Sequence, residues 1–265
     1  MCSLIGRRQK RMFQDKRWLK REDILQFVLA RKRQSGGFAM TPLLPASLED
    51  TYHAVKILKI LAHPIPSSTK AYIASLRWSD YYLPKNLYQL AILYQAMEQV
   101  LPTKELSETI RCILKWKKLS LEHLTYLARL LKLLNLGMLK ATLCQRISFD
   151  RWRVLKELYH IMDCTQVCHI SLPQKAASWV KQCQNGDGGF GFMPHTSSFL
   201  ENTYYALKLM LYLKTKPENI RQCRQFIRYC YVSSRGGFAR SPGGVVLLES
   251  TYQGLSALKM LEIAF

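Results

Sequence analysis

Glu49, Glu201 and Glu249 occupy the same place in three copies of one pattern, each two residues before a Thr-Tyr pair. Apolar burial raises a carboxyl pKa, so these glutamates are the candidates for general acids. A carboxylate at a helix start also stabilises the helix dipole, and that role accounts for all three without any reaction. Tyr52, Tyr204 and Tyr252 recur with Phe38, Phe190 and Phe238 at fixed offsets. Aromatic faces arranged in this way line a hydrocarbon site or steady a cation, and they also pack helical arrays. His195 and Arg240 lie in the loops between them, Arg240 near Arg235. The arginine fork donates two hydrogen bonds at once and suits a phosphate. Cys164, Cys168 and His169 have a loose metal-ligand spacing with no partner pair downstream, so they are read as ordinary cysteines and no metal is assigned.

The elements that must position these groups are legible in the repeat itself. "GGFAMTPLLPASLEDTYHAV" from Gly36, "GGFGFMPHTSSFLENTYYAL" from Gly188 and "GGFARSPGGVVLLESTYQGL" from Gly236 align without gaps. All three fit G-G-F-x3-P-x5-L-E-x-T-Y-x-[AG]-[VL], and such agreement is an internal repeat. An apolar segment with helical spacing precedes each glycine pair: "DILQFVLARKRQ", "AASWVKQCQ" and "CRQFIRYCYV". The glycines are expected to end that helix through a left-handed cap. The phenylalanine then plugs the interior, and Pro42, Pro194 or Pro242 stiffens the loop. The glutamate falls at the start of a second helix, with capping-box spacing at Ser47…Asp50 and Ser198…Glu201. Ala54, Ala206 and Gly254 allow close helix packing. Each unit is thus helix, turn-loop, helix.

Residues 64–170 lack the glycine signature but keep the rhythm. "LEHLTYLARLL" reads as the same inner helix with one residue inserted, and "NLYQLAILYQAM" and "FDRWRVLKELYHIM" as two more. The spacing leaves room for about three such units, which makes six helical hairpins. Periodicity alone leaves an open solenoid and a closed ring as equal outcomes.

Composition bounds the rest. The chain has 265 residues, 48% hydrophobic, and 39 Lys+Arg against 18 Asp+Glu, a net charge of +21. That excess attracts anions: nucleic acid, lipid headgroups or diphosphates. The eight scattered cysteines, with no secretory signal before them, are read as reduced thiols in the cytoplasm. No apolar stretch free of charge is long enough to span a bilayer. Phe13 and Trp18 interleave with the cations of residues 7–21, which suits peripheral contact with an anionic membrane surface ahead of nucleic acid.

"AASWVKQCQNGDGGFGF" followed by "ENTYYALKLM" resembles the repeat of protein prenyltransferase β subunits and squalene/terpene cyclases. Gln184, Gly188 and Phe190 stand where the cyclase repeat has Q-x(2–5)-G-x-W. The resemblance implies an all-α fold, an α/α toroid of six hairpins, over residues 22–265, with 1–21 a basic N-terminal segment. It also implies an apolar central cavity, an isoprenoid or other hydrophobic small-molecule ligand, and an α-type partner subunit. The zinc motif D-x-C-Y of the prenyltransferases falls on Glu201-Asn202-Thr203-Tyr204, and the ligand histidine near Glu249 or Ser250. With no thiolate there, zinc-dependent prenylation is not expected. The cyclase D-x-D-D and the magnesium-holding D-D-x-x-D are absent. Magnesium would then arrive only with a prenyl diphosphate. Two readings follow: an isoprenoid enzyme relative that holds a prenyl diphosphate on Arg240 and His195, or a noncatalytic toroid that binds a lipid or a protein.

Overall fold

The structure is a computed structural model that describes residues 18–264. Most of the basic segment, and with it the membrane-surface reading of residues 7–21, lies outside the described residues. Six helices alternate with six others along the chain. The odd-numbered set is α1 (Arg21–Leu29), α3 (Ser67–Ser75), α5 (Thr103–Leu114), α7 (Lys140–Cys144), α9 (Lys175–Gln182) and α11 (Ile220–Tyr229). The even-numbered set is α2 (Leu48–Ile60), α4 (Pro84–Ala96), α6 (Leu121–Leu133), α8 (Leu155–Cys168), α10 (Leu200–Tyr212) and α12 (Leu248–Ile263).

Each even-numbered helix packs on the next, from α2 through α4, α6, α8 and α10 to α12, and α12 packs back on α2. The inner set is therefore a closed ring. The odd-numbered helices lie outside it. Their apolar stripes show the arrangement: α5 buries Leu106, Ile110 and Ile113 in one cluster with Leu87 of α4 and Leu124 and Leu127 of α6. Beyond helices, the described residues form one short hairpin, β1 (Tyr231–Val232) with β2 (Gly237–Phe238), and single β-bridges in the repeat loops. The expected six-hairpin all-α toroid is the fold.

The repeat is a clamp built on one hydroxyl. In each copy the phenylalanine N–H donates to the threonine hydroxyl thirteen residues later: Phe38 to Thr51 at 3.0 Å, Phe190 to Thr203 at 3.1 Å, Phe238 to Thr251 at 3.0 Å. The same hydroxyl donates to the carbonyl four residues before it, on Ser47, Phe199 and Leu247. The phenylalanine carbonyl accepts from that same residue's N–H, closing the loop. All three rings are fully buried. Each such burial is worth about 1.5–3 kcal/mol over exposure. The small residue of the inner helix makes room: a Cβ on Gly254 would stand 2.6 Å from the Phe238 ring.

The glycines do not cap the outer α-helices that precede them; of the three, Gly236 caps only the one-turn 3-10 helix Ser233–Arg235. α1, α9 and α11 end at Leu29, Gln182 and Tyr229, with right-handed caps at Ala30, Cys183 and Cys230. Gly36, Gly188 and Gly236 come several residues later with φ of +94°, +85° and +67°. There the backbone touches the outer helix of the next unit, and a Cβ would sit 2.0 Å from the Ser68 carbonyl oxygen, 2.1 Å from the Gln222 carbonyl carbon, or 2.3 Å from the Asp23 carbonyl oxygen. The last contact carries the sixth unit onto α1 of the first, a second closure of the ring.

Two further expectations are corrected. Ser47 caps α2 through the Asp50 N–H, but α10 begins at Phe199 as N-cap, and Ser198 is instead bound to Asp187 and Asn185. Cys144 and Cys168 are joined in a disulfide, because α7 lies along the end of α8 and brings their Cα atoms to 5.9 Å. The reading of eight reduced thiols therefore fails, and Cys168 is spent as a metal ligand. No described helix is long and apolar enough to cross a membrane.

Thr203→Val leaves the buried Phe190 N–H without an acceptor and should lower stability in urea titration by about 1–3 kcal/mol, whereas Thr203→Ser, which keeps the hydroxyl, should lose much less. An equal loss in both variants would count against the clamp.

Candidate functional site

Neighbouring inner helices run parallel and almost in register, so residues at equal depth form layers around the ring. The second residues of α2, α4, α6, α8, α10 and α12 are Glu49, Lys85, Glu122, Lys156, Glu201 and Glu249. This mouth is a ring of paired charge: Lys85 holds Glu49 at 2.6 Å, Lys156 approaches Glu122 at 3.9 Å, and Arg240 holds Glu201 at 2.7 Å. Glu249 forms no ion pair among the described residues and accepts only from the Gln253 amide at 3.2 Å. Burial and the charges of Glu49 and Glu201 push its carboxyl pKa up, against the pull of Lys85 and Lys156.

One turn deeper lies a waist of tyrosines. Tyr52, Tyr88, Tyr159, Tyr204 and Tyr252 are fifth residues of their helices, and Tyr126 and Tyr205 are sixth. Tyr159 stacks on Tyr205 at 4.7 Å and meets Tyr204 edge-on at 6.2 Å. The one-residue insertion in α6 is visible here: it moves Tyr126 one place on, while Thr125 keeps its bond to the carbonyl four residues back at 2.8 Å.

Beyond the waist the lining turns cationic. Arg129 is held by Asp163, with its Nε at 2.8 Å, and by the Tyr159 hydroxyl at 3.0 Å. Lys132 donates to Gln166 at 2.9 Å. Lys56 and Lys208 have no carboxylate partner among the described residues; their ammonium groups lie 5.3 Å and 5.9 Å from the rings of Tyr252 and Tyr204. Burial would raise the Tyr252 hydroxyl pKa, but Lys56, the Tyr204 hydroxyl and Lys208 outweigh it and the net direction is down.

Together these layers enclose about 610 Å³, and of the lining side chains only Leu133 and Val167 are aliphatic. The hydrocarbon-lined centre implied by the resemblance is replaced by tyrosine and charge. Two lining residues hold buried polar atoms with no protein partner: Oε1 of Gln89, and both ring nitrogens of His160.

The structure sorts the expected residues. Tyr52, Tyr204, Tyr252, Glu49 and Glu249 line the cavity. Phe38, Phe190 and Phe238 are sealed between helices and line nothing. Glu201 and Arg240 neutralise each other at the mouth, with the guanidinium 4.5 Å from the Phe199 ring centroid. His195 is exposed at a left-handed loop position, φ +63°. Sequence reasoning missed Lys56, Lys208 and Arg129, whose signal was a cation at the ninth position of three inner helices.

The zinc test follows from the same contacts. The position of the thiolate is Thr203, whose hydroxyl is engaged by Phe190 and Phe199, and the adjacent carboxylate, Glu201, is engaged by Arg240. No group of three or more His, Cys, Asp or Glu suited to a metal occurs among the described residues. The donor set does not fit that ion.

A family model for the prenyltransferase alpha-alpha toroid domain matches residues 4–80 and 119–264. The unmatched interval holds α4 and α5, where the glycine-phenylalanine clamp is missing. No curated protein matches the chain.

Burial first, then the charges of Arg129 and Lys156, depress the His160 pKa from 6.5 to about 3, and burial depresses His53 to about 4. In the interval below 6.5 the unfolded chain binds these protons and the folded chain does not, so stability must fall as pH drops through it. By about pH 5 each histidine should cost about 2 kcal/mol. His160→Phe should flatten the decline in pH-dependent urea titrations; an unchanged slope would show that His160 charges in the folded state.

Proposed function

Because the chain belongs to the prenyltransferase alpha-alpha toroid family, we propose that its ring binds a prenyl diphosphate-class ligand, without the zinc chemistry of protein prenylation. One observation carries this reading: the cavity is electrostatically one-sided. Its glutamates gather at the helix N-termini, where Lys85, Lys156 and Arg240 answer three of them, and Asp163, on the other side, is held by Arg129. Its unanswered cations, Lys56 and Lys208, gather at the other end beside Lys132 and Arg129.

Lysines near helix C-termini also offset the negative ends of the dipoles. That role requires no inward direction, yet Lys56 and Lys208 line the enclosed volume and face tyrosine rings. A diphosphate there accepts charge-assisted hydrogen bonds from both ammonium groups. The Tyr252 and Tyr204 rings then offer flat apolar faces to the first carbons of the chain. This reverses the expectation that Arg240 and His195 hold the diphosphate. Glu201 already occupies Arg240, and His195 is not among the residues that line the cavity. Magnesium enters this reading only as the ligand's counter-ion, since Asp163, the lining carboxylate on that side, is held by Arg129.

The architectural duty of Thr203 supports binding rather than thiol alkylation. In two other units Thr51 and Thr251 make the same pair of bonds, so the residue at the thiolate position serves the fold.

Thermal unfolding with geranyl, farnesyl and geranylgeranyl diphosphates tests the reading. A ligand at a hundredfold its Kd stabilises by about 2.7 kcal/mol, and the shift should vanish in Lys56→Glu/Lys208→Glu. No shift in the wild-type protein with any of the three would contradict the proposal, as would an undiminished shift in the double variant.

A further inference from the structure

The central cavity leaves a chemical problem, because a long hydrocarbon chain finds only two aliphatic side chains in it. The solution lies next door. Between α2, α10 and α12, on the helix C-terminal side, a second cavity of about 510 Å³ is lined by Ile60, Leu211, Met260 and Ile263, with Lys59, Lys259 and Ser256 also in its wall. Lys56, Lys208 and Tyr252 line both cavities, so the two meet at the unpaired lysines. The lining changes across this junction: tyrosine and charge on the ring side, and on the other four large aliphatic side chains together with Lys59, Lys259 and Ser256. The junction also lies where the first and last inner helices close the ring.

We propose that this groove takes the distal hydrocarbon of an anionic single-chain amphiphile whose head lies on Lys56 and Lys208. The inference rests on the reading that these cations hold an anionic head, and it adds the tail's path and a basis for chain-length selection. The tail leaves the ring at the α12–α2 seam instead of filling its centre. Tyr252 stands at the bend and covers the carbons next to the head. Ile263, 54% exposed, marks the outer end of the groove, where a longer chain still gains cover. Lys56 and Lys208, shared by both cavities, suit an anion at the inner end, and Ile60, Leu211, Met260 and Ile263 suit an apolar chain running outward. Prenyl diphosphates and long-chain fatty carboxylates share that chemistry.

The test is binding calorimetry with geranyl, farnesyl and geranylgeranyl diphosphates, and in parallel with fatty carboxylates of matching length. In the wild-type protein Kd should fall about tenfold or more for each added five-carbon unit buried against aliphatic walls. Leu211→Glu and Ile263→Asp should abolish that dependence while leaving the affinity of the shortest diphosphate unchanged. Ile263 is at the surface, so its variant should fold normally, and wild-type thermal unfolding without ligand verifies this. A chain-length series tighter for diphosphates names the isoprenoid source, and one tighter for carboxylates names the fatty source; both support the groove. A length dependence that is absent, or that persists in both variants, overturns the groove and leaves the cation reading standing. Failure of the wild-type protein to bind any of the six probes removes the cation reading itself.

Discussion

A buried phenylalanine N–H has one acceptor in this fold, the hydroxyl of a threonine thirteen residues on, and the architecture follows from that bond. It fixes the loop against the start of the inner helix, because the same hydroxyl also reaches the carbonyl preceding that helix. With the loop fixed, the glycine ahead of it meets the outer helix of the next unit at a distance no side chain permits. One local bond therefore sets both the hairpin and the step to its neighbour. Leaving such a donor unpaired in the interior costs more than the bond's own net worth, so the geometry has little freedom.

Repetition of that step in three units, with helix packing in the middle ones, keeps the inner helices parallel and in register, and the register gives the cavity its layers. Charges at the second residues face one another across adjacent helices, as do the tyrosines one turn deeper. Parallel alignment also adds the six helix dipoles together, which favours carboxylates at one mouth and cations at the other. The same alignment that closes the ring thus polarises its interior. A polar, one-sided cavity is the consequence, and the aliphatic surface a chain would need appears at the seam instead.

Much of the fold was legible because three units share a frame. Phe38, Phe190 and Phe238 are plugs as their spacing implied, and the inner helices lie where the glutamates began them. The middle units were legible as helices only, since they lack the clamp and carry their register through packing such as Leu87 with Leu124. The glycines were misassigned because a left-handed backbone angle serves a helix cap or a close approach equally well, and only the neighbour decides. The threonine's role was invisible for a similar reason: a constant interval of thirteen does not disclose a hydrogen bond. The site was less legible still. Lys85 and Lys156 mean nothing until they stand beside Glu49 and Glu122, and the Cys144–Cys168 pairing depends on how α7 lies along α8. The implied apolar centre failed because family likeness fixes the ring and leaves its lining to individual residues.

The claim beneath all of this is that the last inner helix meets the first. Amine-directed cross-linking with a short bifunctional reagent, followed by mass spectrometry of the monomer, tests it on native lysines. Lys59 and Lys259 are both twelfth residues of their helices, on α2 and α12, and both line the seam. Packed helix axes stand about 8–10 Å apart, within reach of such a reagent. The account predicts an intramolecular Lys59–Lys259 link as abundant as the Lys208–Lys259 link between consecutive inner helices. Recovery of the second link without the first would mean that the array stays open.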